Sequence, residues 1–275
     1  MVPELVSEET VAWLRAKIET MEKKAEPERK QQTEDLPDLR PDHINTNKYV
    51  DYKDGVPYVK TKGEDAIHPT DVKQGSLGDC YLMAAMAAVA RANPLAIKDL
   101  ITENGDGTFD VKLHIRKNYY GGPKDTTHTV DTRFPEKFAG TPLYAKFGDD
   151  TPEAKELWPM LLEKALAQHK GGYEDIRGSK INNKGFKYKG ALELLTGEPQ
   201  TRMETSDMSE DEVMLTISKA LVDKKPVVAG VLNMKDSPAM ADEAKKYNVY
   251  GNHAYAPESV DLEKRTVSLT NPWGK

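Results

Sequence analysis

The stretch that most constrains this chain is Tyr81 to Ala90, ten uncharged residues of which five are alanine. Gln74-Gly75-Ser76-Leu77-Gly78-Asp79-Cys80 leads into it. Tyr81, Leu82, Met83, Met86 and Val89 surround a helix rather than striping one face, which predicts a helix buried on all sides. Gly75 and Gly78 permit a tight approach path. Asp79 has the residue type and position of an N-cap. Cys80 then falls in the first helical turn, where free N–H groups and the helix dipole favour a thiolate over a thiol. A cysteine on an apolar helix is also a common core residue. This stretch alone leaves both readings open.

Two later stretches bear on the choice: Gly251-Asn252-His253-Ala254-Tyr255-Ala256 and Leu269-Thr270-Asn271-Pro272-Trp273-Gly274. A Cys at a helix start, a distant His and then an Asn stand in the chain order of a papain-like thiol protease triad. Taken singly, His253 reads as a strand residue and Asn271-Pro272 as a turn start. Gln74 to Cys80 closely resembles the active-site segment of calpains. His253-Ala254-Tyr255 and Asn271-Pro272-Trp273-Gly274 resemble two further blocks of that family. Leu157-Trp158-Pro159-Met160-Leu161-Leu162-Glu163-Lys164-Ala165 and Gly172-Tyr173-Glu174 resemble blocks that lie between them. The blocks fall in family order over about Ile67 to Gly274.

The resemblance implies an α+β, papain-like fold of two lobes. Residues 46–200 would form a mainly helical lobe around the Cys80 helix. Residues 201–275 would form a mainly antiparallel β lobe carrying His253 and Asn271. Hydrolysis by a thiol needs a thiolate, a proton shuttle, an orienter for the shuttle and donors for the oxyanion. Cys80 would be the nucleophile, its pKa lowered from about 8.5 to roughly 3.5–7.5 by a helix N-terminus and an imidazolium. His253 would shuttle the proton and Asn271 would fix its tautomer. Gln74, six residues before Cys80, matches the family's oxyanion-hole Gln. Trp273 matches a Trp beside the triad that shields the Asn–His bond or packs. Gly178 would line the substrate cleft by analogy. Asp71, nine residues before Cys80, and Glu163 would be ligands of a calcium ion, which prefers carboxylates and carbonyls; alternatively Asp71 caps a turn and Glu163 pairs with a Lys. The family's second calcium site draws partly on residues beyond the Asn-Pro-Trp block.

Some features depart from the family pattern. Tyr81 stands where a Trp usually follows the Cys, and Asn252 and Ala256-Pro257 differ from the usual residues around His-Ala-Tyr. No EF-hand loop occurs. These points suggest a stand-alone or bacterial protease core, or a piece of a larger chain.

The rest of the chain sets the frame. At 275 residues it can hold one large domain or two small lobes. The net charge of −6 gives no reason to expect nucleic acid. No apolar run has the length of a membrane span, and the first residues lack the basic and apolar regions of a signal peptide. One cysteine rules out an intrachain disulfide. A cytoplasmic location is expected, or export without a cleaved signal. Ser7 to Met21 reads as a helix and Leu36 to Pro41 as an extended linker, so 1–45 would be either an exposed helix and tether or a regulatory or self-processed segment, ahead of a catalytic domain at 46–275.

Within that domain, Tyr49 to Ile67 reads as short strands or a hairpin. Pro94 starts a short helix. Thr108 to Ile115 alternates as a half-buried strand with Thr126 to Val130 as its partner, so His114 and His128 are strand residues. Pro152 to Gln168 is a helix with Pro159 inside it, which predicts an early kink or a later start near Trp158, and Gly171-Gly172 stops it. Lys189 to Leu195 and Ser209 to Asp223 are further helices, the second with a Ser209/Glu212 capping box. Pro226 to Leu232 has a buried-strand pattern, and Asn252 to Ala256 and Arg265 to Thr270 are strands.

Protein or peptide substrates, hydrolysed through a Cys80 thioester, are the first expectation. A papain-fold transglutaminase or glutamine deamidase would use the same triad. A non-enzymatic binding module is the third reading, and the intact Cys-His-Asn-Gln set speaks against it.

Overall fold

The computed structural model describes residues 49–59, 66–116, 122–138, 140–149, 151, 154–178, 190–235 and 238–274. The expected helix at Ser7 to Met21, the linker at Leu36 to Pro41 and the whole 1–45 segment lie outside them. The chain divides into two units, Met1–Asp35 and Leu36–Lys275, and every described residue belongs to the second.

The strands, in chain order, are β1 (Tyr49–Asp51), β2 (Gly55–Val56), β3 (Ile101–Glu103), β4 (Thr108–Ile115), β5 (Lys124–Asp131), β6 (Arg133–Phe138), β7 (Thr141–Pro142), β8 (Lys155–Glu156), β9 (Ala229–Val231), β10 (His253–Asp261) and β11 (Thr266–Thr270). The helices are α1 (Cys80–Ala92), α2 (Pro94–Lys98), α3 (Trp158–Lys170), α4 (Ala191–Thr196), α5 (Glu210–Val222) and α6 (Pro238–Lys246). Among the described residues, three antiparallel sheets, ordered β1-β6-β7, β3-β4-β5 and β11-β10-β9, accompany a parallel β2-β8 pair. The fold is α+β.

Helix α1 is the centre. Every residue from Cys80 to Ala90 is buried, as expected for a chain apolar on all sides. It packs against β10, α2 and α4. Its approach path is equally enclosed. A side chain at Gly75 would meet the Tyr144 carbonyl oxygen at 1.8 Å, so only glycine fits there.

Helix α3 starts with Pro159 in its first turn and ends on Gly171 at φ +103, so proline and glycine set both ends. Its buried Lys164 reaches the Asp131 carboxylate at 2.5 Å and the Arg133 carbonyl at 2.5 Å, tying α3 to the β5–β6 corner. The β4–β5 ladder and the α5 capping box also form as the residue pattern predicts.

Of the two forms open to Tyr49 to Ile67, its described residues take the short strands: β1 pairs with β6 and β2 with β8, partners far along the chain. Two expectations need correction. The Pro226 to Leu232 run forms only the short strand β9, which is half-exposed rather than buried. The division into a mainly helical and a mainly β half does not hold either. Among the described residues, β1 to β8 precede residue 200, while α5 and α6 follow it. The earlier half spends its polar-apolar alternation on sheets packed around α1 and α3, which a reading centred on the helices overlooks.

Candidate active site

The first turn of α1 meets the start of β10. Cys80, Ala84 and Ala254 form a small buried cluster, so the thiol lies beside the residue that follows His253. Strand β10 carries His253 because β9 pairs on one side of it and β11 on the other. His253 is opposite Val231, and Ala256 is opposite Thr270. That second register brings Asn271, one residue past β11, under the imidazole. Nε2 of His253 lies 2.9 Å from Oδ1 of Asn271. The same oxygen accepts the Trp273 N–H at 3.1 Å. The Trp273 ring lies over His253 with centroids 4.4 Å apart. The Tyr255 ring stands edge-on to it at 4.8 Å.

The electrostatics of this conformation differ from the expected thiolate–imidazolium pair. Burial pushes the Cys80 thiol up to about 11; a backbone hydrogen bond at Ala254 works against this and the Asp79 carboxyl adds to it. Burial also lowers His253, with the Asn271 bond opposing the shift. The helix terminus does favour a thiolate, but desolvation of a buried sulfur outweighs it here. Both shifts favour the neutral forms, a thiol and a neutral imidazole.

Asp79 occupies the N-cap position but its side chain caps nothing. It is fully buried and turned inward, where its Oδ1 accepts the Gln74 Nε2–H at 3.3 Å. It also meets Glu163 of α3, and burial together with this neighbour raises the Glu163 carboxyl well above its ordinary value. Gln74 spends a second N–H on the Leu77 carbonyl at 2.6 Å, and its backbone N–H donates to the Pro272 carbonyl at 2.7 Å. Gln74 is thereby tied to the segment that carries Asn271.

Gly178 donates its N–H to the Gly78 carbonyl at 2.9 Å, and a side chain there would meet that oxygen at 3.3 Å. The buried Tyr81 hydroxyl donates to the Ile176 carbonyl at 2.8 Å, so the tyrosine pins the same two loops together.

The two expected calcium ligands are not brought together. Asp71 Oδ2 accepts the His68 N–H at 2.6 Å and the Trp158 Nε1–H at 3.2 Å. Glu163 accepts the Ala145 N–H at 3.1 Å and faces Asp79. Among the described residues no three His, Cys, Asp or Glu side chains are arranged to hold a metal ion. Both carboxylates face N–H donors of the interior, whereas calcium takes six to eight oxygens. As they stand, Asp71 and Glu163 do not fit the ion.

The residue reading missed three participants. Asp79 has the residue type and position of a cap, and its burial depends on α3 packing from 84 residues along. Tyr255 lies inside the His-Ala-Tyr block without a role of its own. Tyr250, whose ring lies 4.8 Å from Trp273, gave no signal beyond being aromatic.

Among the described residues no helix is long and apolar enough to cross a membrane. A family model described as calpain family cysteine protease matches residues 15–275. Calpain-8 of Mus musculus is 29% identical over 219 residues, which cover 75% of this chain and 28% of that protein. Calpain-9 of Homo sapiens is 26% identical over 250 residues, covering 84% of this chain and 34% of that one. Calpain-A of Drosophila melanogaster is 27% identical over 216 residues, 74% of this chain and 24% of that protein. The chain thus spans about a third or less of the length of these curated relatives. With a family match running through the Cys80, His253 and Asn271 segments, the chain belongs to the calpain family of cysteine proteases.

Proposed function

We propose that this chain is a cysteine endopeptidase in which Cys80 attacks the peptide carbonyl. The observation that carries the reading is the convergence of α1, β10 and the residue after β11. Cys80 lies against Ala254, and His253 is bonded to Asn271 through Nε2. That bond leaves Nδ1 of the imidazole for the thiol. Transfer of the Sγ proton to Nδ1 generates the nucleophile, and the imidazolium then returns the proton to the leaving amine. Asn271 fixes the ring orientation through the cycle. The Cys80 backbone N–H and the Gln74 carboxamide are the oxyanion donors in this reading. Gln74 must release the Leu77 carbonyl or Asp79 to serve. The product of the first half-reaction is a Cys80 thioester, which water hydrolyses.

Gly178 and Trp273 border the substrate in this proposal, Gly178 beside the Gly78 turn and Trp273 beside His253. Peptide hydrolysis is favoured over transamidation or deamidation by the family match across the chain. No step is routed through calcium.

The test is cleavage of casein, and of the protein itself, by wild type and Cys80→Ala, each with calcium or a chelator. Cleavage by wild type alone supports the reading. Loss on chelation would require a calcium site outside the Asp71–Glu163 pair as described. Self-cleavage within 1–45 would support a self-processed segment. A wild type inert to both substrates and to thiol-directed epoxide inhibitors overturns the proposal.

A further inference from the structure

His253 sits in a closed circuit of five residues, of which Tyr250 and Tyr255 are not accounted for by the catalytic reading. Its Nε2 meets Asn271 Oδ1, and that oxygen holds the Trp273 N–H. The Trp273 ring covers the imidazole. The Tyr250 ring lies against the far part of Trp273, 4.8 Å between centroids at 52°. The Tyr250 backbone N–H donates to the Tyr255 hydroxyl at 2.8 Å, and Tyr255 stands edge-on to His253. The circuit therefore returns to the imidazole.

The loop that presents Tyr250 is built to hold it. Asn248 and Asn252, on either side, both take the left-handed conformation, at φ +54 and +52. Asn248 and Val249 donate their N–H groups back to Lys245 and Ala244 at the end of α6. Asn252 donates to the Leu232 carbonyl at 3.2 Å. Gly251 between them lies so close to that carbonyl that a side chain would meet it at 3.1 Å. A short segment pinned at both ends thus places one aromatic ring. Trp273 itself is 39% exposed and Tyr250 is 44% exposed, so neither ring is there to fill the core.

We propose that Tyr250 is a positioning residue, whose ring braces Trp273 over the His253 imidazole and whose backbone ties that brace to the strand bearing His253. The proposal rests on the catalytic role assigned to His253 above, but the brace itself is a matter of ring packing. An indole face over an imidazole favours the imidazolium through its quadrupole. It also keeps water from the Nε2–Asn271 bond. Besides His253, the Tyr250 ring is the aromatic partner of Trp273, so losing it removes a contact that holds the indole over His253. The titratable groups packed around His253 are the Cys80 thiol of α1, against Ala254, and the Tyr255 hydroxyl of β10. Burial disfavours the charged form of both, so the aromatic rings act on the imidazole alongside its burial and the Asn271 bond.

The test uses the full chain with Tyr250→Ala, Tyr250→Leu and Tyr250→Phe. Histidine ring proton NMR gives the His253 titration directly, with its signal assigned by His253→Gln; the chain has six histidines. Alkylation of Cys80, the one cysteine, gives the functional readout. Tyr250→Ala and Tyr250→Leu should both move the His253 titration to lower pH and slow alkylation near neutral pH about five- to tenfold, the size of a lost aromatic-cation contact. Tyr250→Phe, which keeps the ring, should match wild type in both. Unchanged titration in Tyr250→Ala and Tyr250→Leu overturns the brace. So does a Tyr250→Phe variant as impaired as Tyr250→Ala, since that would assign the effect to the hydroxyl. If the titration shifts as expected while wild type fails to cleave any substrate, the brace stands and the protease reading falls.

Discussion

Nε2 of His253 and Oδ1 of Asn271 are 2.9 Å apart, and the Asn271 oxygen is shared with the Trp273 N–H at 3.1 Å. One amide oxygen therefore orients the imidazole and fixes the backbone of Trp273, whose ring covers it. Asn271→Ala should lower kcat/KM about ten- to a hundredfold by freeing the imidazole, with a smaller effect on KM. Thermal unfolding should be little changed, because the residue sits at a half-buried strand end. Equal activity in the variant would remove Asn271 from the mechanism.

Cys80 should behave as an ordinary buried thiol in the resting protein. With its pKa pushed up to about 11, the thiolate fraction rises about tenfold per pH unit below that point. The rate of iodoacetamide alkylation should therefore keep rising from pH 7 to beyond pH 9. Burial lowers His253 and so disfavours the imidazolium that would flatten the curve. A rate already at its plateau by pH 7 would mean that a thiolate–imidazolium pair is present without substrate.

Gln74 stands at the meeting point of two tasks. Its carboxamide holds Leu77 and Asp79 in the resting structure, and in the proposed reaction it faces the oxyanion. Gln74→Ala should cost about 10²–10³ in kcat if that donor is used. Asp79→Ala should destabilise the fold by about 1–3 kcal/mol, since it strips Gln74 and Glu163 of a buried partner. Urea unfolding and steady-state kinetics measured on the same preparations separate the two effects.

A buried acid away from the site sets a pH dependence of stability. Glu156 is 1% exposed and accepts the Val59 N–H at 2.8 Å and the Asp149 N–H at 3.2 Å. Burial raises its pKa from 4.5 to about 8, and the nearby Asp71 adds to the shift. A raised carboxyl holds a proton in the fold that the unfolded chain releases. Its contribution is complete below about pH 4.5 and is lost as pH rises through about 8. The melting temperature should fall by several degrees across that window. Glu156→Gln should flatten the slope, with a lower starting value because an amide nitrogen cannot accept both N–H groups. A slope identical to wild type would show that other groups govern it.

The approach to Cys80 tolerates no side chain at Gly75. Gly75→Ala puts a carbon 1.8 Å from the Tyr144 oxygen, so the backbone must move at a cost of more than about 3 kcal/mol. Gly105→Ala is the control. Its φ is +78 but nothing lies within 4 Å, so it should cost about 1 kcal/mol. Comparable urea midpoints for the two would overturn the packing account.

Much of the site was legible because its chemistry is local in sequence. The glycines before Cys80, the charge-free run after it, and the spacing of His253 and Asn271 within short blocks all read directly as residues. So did α1, α3, α5 and the β4–β5 ladder, where periodicity and capping residues dictate the element. What the sequence could not supply was set by contacts between distant segments. Strands β1 and β2 found partners in β6 and β8 rather than in each other. Asp79 became a buried carboxyl because Glu163 arrives from α3, and Asp71 turned to Trp158 and His68 instead of meeting Glu163. The state of the thiol was decided the same way. A helix N-terminus is visible in one stretch of chain, but the desolvation that overrides it comes from β10 closing over Cys80, and only the tertiary structure puts that strand there.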